Sequence, residues 1–81
     1  MVFGVLGNFN KPEFYQIFND LCDFLVNKKN VELYLLNNKR LDKRKVIRSD
    51  LIIDYDFFKK KSDVVISIGG DGTIISSLRK L

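Results

Sequence analysis

The apolar residues of the chain form three short runs separated by polar and glycine-containing segments. The first run covers residues 2–6 and ends at Gly7 and Asn8, the second covers residues 31–36, and the third, rich in β-branched residues, covers 64–68. Runs of this length are typical of strands that are buried on both faces of a parallel sheet. The pattern therefore predicts three parallel strands.

A helix is predicted between the first two strands. Asn10 and Glu13 have the spacing of a capping box, and Pro12 would fall in the first turn, where no helical hydrogen bond is lost. An apolar stripe at three- and four-residue steps follows, formed by Phe14, Ile17, Phe18, Leu21, Cys22 and Leu25. Residues 2–36 are thus expected to form a βαβ unit with a right-handed crossover.

The rest of the chain has one ambiguous and one clear segment. Residues 46–47 and 51–53 have strand-like composition, whereas 54–61 predicts a short helix capped by Asp54. After the third strand, apolar residues recur at helical spacing, which predicts a helix over 73–81. Together these elements predict an α/β fold: a small, incomplete, Rossmann-like three-layer unit with a parallel sheet in the strand order 2-1-3.

Composition narrows the classes of protein to which the chain can belong. With 81 residues, 46% hydrophobic and 30% charged, it is expected to form a single globular domain. A core of this size supplies only about 3–5 kcal/mol, and with one cysteine and no histidine neither a disulfide nor a Cys/His metal site can add to it. Further protein, from a partner or a continuation of the chain, is therefore expected to contribute.

The same composition bears on location and partners. The lone thiol of Cys22 is expected to be buried and suits a reducing, cytoplasmic compartment, and no apolar run reaches the ~20 residues that span a bilayer. The net charge of +4 comes from three basic runs, which are interleaved with Asp and Asn: Lys28-Lys29, the run from Lys39 to Arg48, and Lys59-Lys60-Lys61. Because no recognisable nucleic-acid-binding module accompanies them, we predict no nucleic-acid partner, no membrane partner, and a general attraction for anionic ligands such as nucleotides.

The candidate chemistry lies in the sequence Gly69-Gly70-Asp71-Gly72-Thr73, between the third predicted strand and the last predicted helix. Glycines allow backbone amides to approach phosphate oxygens closely at a helix N-terminus, and Thr73 adds a hydroxyl donor. If the second and third strands flank the first, the loop that contains Asn8 would face the same ligand. The alternative is an ordinary turn that ends a strand.

Asp71 is the residue that separates these alternatives most sharply. A carboxylate 4 Å from a phosphate charge is repelled by about 4 kcal/mol at an effective dielectric constant near 20. A site that only holds phosphate would avoid this cost. We therefore expect Asp71 to address either a divalent cation or a substrate hydroxyl.

The segment from Asp63 through Gly69-Gly70-Asp71-Gly72-Thr73 resembles the signature of the NAD kinases and of a wider group with diacylglycerol kinases, sphingosine kinases and, more distantly, ATP-dependent phosphofructokinases. The opening Gly4-Val5-Leu6-Gly7-Asn8, followed by Asn10-Lys11-Pro12-Glu13, is similar to the start of bacterial NAD kinases. Ser76 departs from the pattern, because many members carry a basic residue there.

The resemblance implies phosphorylation of the 2′-hydroxyl of the adenosine ribose of NAD, giving NADP. The donor would be ATP or polyphosphate, with a divalent cation, Mg²⁺, as cofactor. Asp71 would be the catalytic carboxylate. Asp71 would also contact the nucleotide. The other residues expected to contact the nucleotide are Asn8, Gly69, Gly70, Gly72 and Thr73. No residue is assigned as a metal ligand.

The resemblance also implies how the chain is organised. Residues 1–81 would be the N-terminal α/β nucleotide-binding part of an enzyme whose second Asn-Glu motif and C-terminal β-rich domain are absent from this sequence. The complete enzyme would be a homo-oligomer, and these residues alone would be inactive. Two other interpretations stay open: a lipid-type kinase of the same group, and a non-catalytic nucleotide-binding module or gene remnant.

Overall fold

The computed structural model describes residues 1–25, 27–69 and 72–77, the last of these without their side chains. Two single turns of 3₁₀ helix, Lys43–Lys45 and Ser49–Leu51, interrupt the longest connection. The strands and helices are, in chain order, β1 (Val2–Gly7), α1 (Pro12–Leu25), β2 (Glu32–Leu36), β3 (Ile52–Ile53), α2 (Tyr55–Lys61), β4 (Val64–Gly69) and β5 (Gly72–Ser77).

The described strands form one sheet in the order β3-β2-β1-β4-β5, in which β1 to β4 are parallel and β5 is antiparallel to β4. The α/β class is confirmed. The three predicted strands are β1, β2 and β4, and β1 lies between the other two. The complete order nevertheless differs from the predicted 2-1-3, because β3 extends the sheet beyond β2 and β5 extends it beyond β4.

The two helices cover opposite faces of the sheet, which gives three layers. On one face Val5 pairs in register with Leu35 and Ile66, and all three side chains are buried in the core to which α1 contributes. On the other face lies Gly4, where a Cβ atom would come within 2.7 Å of the Phe58 ring of α2. The glycine thus lets α2 pack directly on the central strand.

Helix α1 begins at Pro12, which confirms that Pro12 lies in the first turn, but the buried face of the helix is rotated from the predicted stripe. Phe14, Phe18 and Cys22 are buried, whereas Ile17 is 37% exposed and Tyr15 is only 4% exposed. Successive residues turn by about 100°, so Ile17 lies roughly 100° from the centre of the buried face and Tyr15 only about 60° from it. Including Ile17 in the core was wrong, and Tyr15 belongs in its place.

The ambiguous segment resolves into short elements. Asp54 caps α2, because its Oδ1 accepts a hydrogen bond of 2.8 Å from the Phe57 amide, and this prediction is confirmed. Of the strand-like pairs, 52–53 form β3. Val46 instead ends a 3₁₀ turn with its side chain buried, and the neighbouring Ile47 is 76% exposed.

The helix predicted over 73–81 is wrong for residues 73–77, because these lie in β5 and pair with β4. Gly69 pairs with Gly72 and Ile68 with Thr73, so the two strands form a hairpin. Two physical effects favour it: Thr and Ile prefer extended backbone, and β5 satisfies backbone groups of β4 that would otherwise form an open edge. Residues 70–71 and 78–81 lie outside the described part of the chain.

Candidate functional site

The candidate site lies where β1 and β4 end side by side. From β1 the chain moves outward in one direction to β2 and β3, and then returns to place β4 on the other side of β1. The strand order therefore reverses between β1 and β4. In open parallel sheets, ligands bind beyond the carboxyl ends of the strands at such a reversal.

Backbone contacts hold the two strand ends together. Gly7 pairs with Ile68, and the next amide, that of Asn8, donates a 3.0 Å hydrogen bond to the Ile68 carbonyl oxygen. A Cβ atom on Gly7 would overlap this same carbonyl oxygen. Glycine is therefore required by the close approach of β4, which brings the loop after β1 against the end of that strand.

Asn8 organises the loop of residues 8–11. Its side-chain Oδ1 accepts a 3.2 Å hydrogen bond from the Asn10 amide, and its carbonyl oxygen accepts a 3.1 Å bond from the Lys11 amide. The predicted capping box is wrong, because the Asn10 amide is bonded to Asn8 and not to Glu13. Since the amides of Asn8, Asn10 and Lys11 already donate within the protein, this loop offers phosphate its side chains more than its backbone.

Tyr15, in the first turn of α1, holds the loop of residues 8–11 in place. Its buried hydroxyl donates a 2.7 Å hydrogen bond to the Phe9 carbonyl oxygen and accepts a 2.8 Å bond from the Asp42 amide. Phe9 is itself buried and meets Phe14 edge to face at 4.9 Å between ring centroids. Tyr15 was not identified from the sequence; the available signal was a tyrosine in the first turn of a helix beside a predicted ligand loop.

The structure brings together only some of the predicted site residues. Asn8 is exposed at this edge of the sheet, next to the end of β4, where Gly69 pairs with Gly72 at the base of the hairpin. Thr73 lies one pair further along, in β5. Gly70 and Asp71 fall outside the described residues. Because a strand begins at Gly72, the expectation that a helix N-terminus at this point faces the phosphate is wrong.

A basic segment, residues 39–45, follows β2 and lies next to the loop of residues 8–11. The guanidinium of Arg44 bonds Asp42 at 3.1 Å and holds the pKa of that carboxyl below its usual range, while Asp42 raises the pKa of Arg44. Because Asp42 and Arg44 are only two positions apart, their ion pair stabilises the local conformation of the segment. It leaves the excess positive charge of the neighbouring residues at this edge uncompensated.

The cysteine lies away from this site. Burial raises the pKa of the Cys22 thiol to about 11, an effect that Arg48 partly offsets, so the thiol is protonated at neutral pH. It lines a depression of about 240 Å³ at the amino end of β2, together with Leu33 and Arg48. A protonated thiol is a weak nucleophile and a poor metal ligand, and this supports a structural role for Cys22.

The described residues show neither a cluster of metal ligands nor a membrane-spanning helix. No group of three or more His, Cys, Asp or Glu side chains within 1–25, 27–69 and 72–77 is placed to hold a metal ion. In the same part of the chain, no helix has the length and apolar character needed to cross a membrane.

Among known proteins, no family model, no curated protein and no solved structure matches the chain.

Proposed function

We propose that the chain is the nucleotide-binding part of an NAD kinase-type enzyme, which transfers the terminal phosphoryl group of ATP to the 2′-hydroxyl of the adenosine ribose of NAD. The observation that carries the proposal is the 3.0 Å bond from the Asn8 amide to the Ile68 carbonyl oxygen. It joins the loop after β1 to the strand that leads into the motif at 69–73. Both lie at the reversal of strand order, where α/β proteins bind ligands.

The chain's residues would divide the work between holding and transferring phosphate. Asn8 and Lys11 are exposed on the loop beside β4. Asn8 would offer the phosphates its side-chain carboxamide, and Lys11 would offer its ammonium group. Asp71 would orient the acceptor hydroxyl and accept its proton late in the transfer. A carboxylate is too weak a base to remove that proton beforehand, but a loose transition state needs little activation of the nucleophile.

The divalent cation implied by the resemblance would neutralise charge on the phosphates. The described residues provide no set of three protein ligands for it. We therefore assign no cation ligands and derive no step through the ion.

The β4–β5 hairpin favours a second candidate, a non-catalytic nucleotide-binding module. Without a helix after Gly72, the positive end of a helix dipole does not contribute to phosphate binding at residues 72–77, and transition-state stabilisation there is weaker. The two candidates differ in the role of Asp71. A kinase uses it on the acceptor, whereas a binding module would retain it only as an anchor for a metal–nucleotide complex. A lipid-type kinase shares the first role with a different acceptor.

Nucleotide titrations of the 81-residue protein, followed by backbone NMR, test the proposal. ATP is expected to shift the amide resonances of residues 8–11 and 69–73 and to leave those of α2 unchanged. Asp71→Asn should bind ATP as tightly as the natural chain or more tightly when no divalent cation is present, because a carboxylate that repels phosphate has been removed. Asp23→Asn, a matched change on the exposed face of α1, should have no effect.

Two results would contradict the kinase proposal. If saturating ATP leaves residues 8–11 and 69–73 unshifted, the edge of β1 and β4 is not a nucleotide site. If Asp71→Asn instead weakens binding of the magnesium–ATP complex strongly while Asp23→Asn does not, Asp71 is an anchor, and the binding-module interpretation replaces the kinase.

A further inference from the structure

The positive charge of the protein is concentrated in one segment. Residues 39–45 contain five basic residues and one acidic residue, a net charge of +4 that equals the net charge of all 81 residues. The rest of the chain, which includes the shorter lysine runs at 28–29 and 59–61, therefore has no net charge. All five basic residues are exposed. A concentrated charge of this kind attracts polyanions more strongly than the same charge spread over the surface.

The segment is fixed to the body of the protein and is not a loose tail. Leu41, inside the segment, is 8% exposed and Val46, directly after it, is 5% exposed, so two apolar side chains anchor the segment in the core. Between them, the Asn19 side chain of α1 donates a 3.0 Å hydrogen bond to the Lys45 carbonyl oxygen. A binding surface held in place in this way loses less conformational entropy when it takes up a ligand.

Its position places it against the proposed nucleotide site. One atom, the Tyr15 hydroxyl oxygen, bonds the backbone of Phe9 at 2.7 Å and the backbone of Asp42 at 2.8 Å. The segment of residues 39–45 and the loop of residues 8–11 are therefore separated by a single hydroxyl group. Both follow strands of the parallel sheet, since the loop comes after β1 and the segment comes after β2.

The basic side chains of the segment are not equally available. Arg44 is paired with Asp42, and the Lys45 Nζ lies over the Tyr15 ring, 5.3 Å from its centroid. Lys39, Arg40 and Lys43 form no ion pair with any residue in the described part of the chain. These three cations are the ones that an incoming anion can engage without breaking an existing contact.

We infer that residues 39–45 form a binding surface for linear phosphate chains, with Lys39, Arg40 and Lys43 as its main contacts. The inference rests on the proposed function, because it makes this surface the place where the phosphates of the donor are held beside the loop of residues 8–11. The triphosphate of ATP and inorganic polyphosphate share the required chemistry, a flexible chain of closely spaced negative charges.

Isothermal calorimetry at low ionic strength, with tripolyphosphate and with ATP, tests this surface. The variant K39Q/R40Q/K43Q is compared with K29Q/K59Q/K60Q, which removes the same charge. The control residues are exposed and belong to segments that lead into the amino ends of β2 and β4. Since an exposed ion pair contributes only a small free energy, the three changes at 39–43 should together weaken tripolyphosphate binding roughly tenfold, and the control less than about twofold. Circular dichroism establishes that both variants are folded.

The outcomes separate this inference from the proposed function. The inference is overturned if the two variants weaken tripolyphosphate binding equally, or if the natural chain does not bind tripolyphosphate. It is also overturned if single-stranded RNA binds more tightly than tripolyphosphate and loses affinity in K39Q/R40Q/K43Q. A selective loss supports the surface even if ATP leaves residues 69–73 unshifted, in which case only the kinase proposal fails. Equal losses for ATP and tripolyphosphate identify the phosphate chain as the ligand, and a loss for tripolyphosphate alone identifies free polyphosphate. If the triple variant unfolds, K39Q against K59Q makes the same comparison.

Discussion

Replacing Tyr15 by phenylalanine would remove one oxygen atom that connects the two loops of the candidate site. The hydroxyl donates to the Phe9 carbonyl oxygen at 2.7 Å and accepts from the Asp42 amide at 2.8 Å, and the side chain is 4% exposed. The ring itself stays, so its packing against Phe14 is kept. The change therefore isolates the two hydrogen bonds from the burial of the aromatic ring.

The expected loss of stability comes from the groups that the change leaves without a partner. A hydrogen bond contributes about 0.5–1.5 kcal/mol net, and a buried partner left unsatisfied costs about 1–3 kcal/mol. The Phe9 carbonyl group is in the buried part of the site, whereas the Asp42 amide is only partly buried and can regain a bond to water. We therefore expect Tyr15→Phe to lower the free energy of unfolding by about 1–3 kcal/mol, which is a large part of the ~3–5 kcal/mol that a core of this size supplies.

Urea unfolding and amide hydrogen exchange measure the two consequences. The unfolding midpoint should fall with an unchanged slope, and the thermal midpoint should fall by about 4–8 °C for each kcal/mol lost. Exchange of the Asp42 amide should accelerate more than that of amides in β1. Tyr55→Phe is the matched control, because Tyr55 is 62% exposed, and it should change stability by less than about 0.5 kcal/mol.

Equal stability of Tyr15→Phe and Tyr55→Phe, together with unchanged exchange at Asp42, would refute this expectation. That result would mean that the hydroxyl does not hold the loops of residues 8–11 and 39–45 together. The inference that residues 39–45 hold phosphate chains beside the loop of residues 8–11 would then lose its main support.

Two further predictions concern the strand end and the thiol. Gly7→Ala should destabilise the protein by about 2 kcal/mol or more, because the added Cβ overlaps the backbone of Ile68 and no side-chain rotation can relieve that overlap. A change in the urea midpoint no larger than that of ordinary surface substitutions would contradict this prediction. The pKa of the Cys22 thiol is raised from 9.0 to about 11, so the unfolded chain ionises first as pH rises, and the stability due to this group is complete below pH 9 and is lost towards pH 11. Across that window the thermal midpoint should therefore fall further for the natural chain than for Cys22→Ala, and parallel curves for the two proteins would show that the thiol is not shielded.

Local sequence was sufficient for the elements whose signals are self-contained. β1, β2 and β4 are short apolar runs with clear ends, and Asp54 caps α2 through a bond to an amide three residues away. Such features depend on neighbours within one turn or one strand. The pairing of β1 with both β2 and β4 also agreed with the order of these elements and the rules that connect parallel strands.

The features that local pattern did not predict depend on residues far apart in the chain. Tyr15 and Asp42 meet across 27 positions, and this contact links the segment of residues 39–45 to the loop of residues 8–11. Residues 73–77 carry both helical spacing and β-branched side chains, and the available edge of β4 selects the strand. The sequence thus specified the central strands, their order and the motif at 69–73. Tertiary packing determined that a strand and not a helix begins at Gly72, within this motif, and that the basic segment lies beside the loop of residues 8–11. The physical reason is that backbone groups and buried hydroxyls must find partners wherever the fold places them.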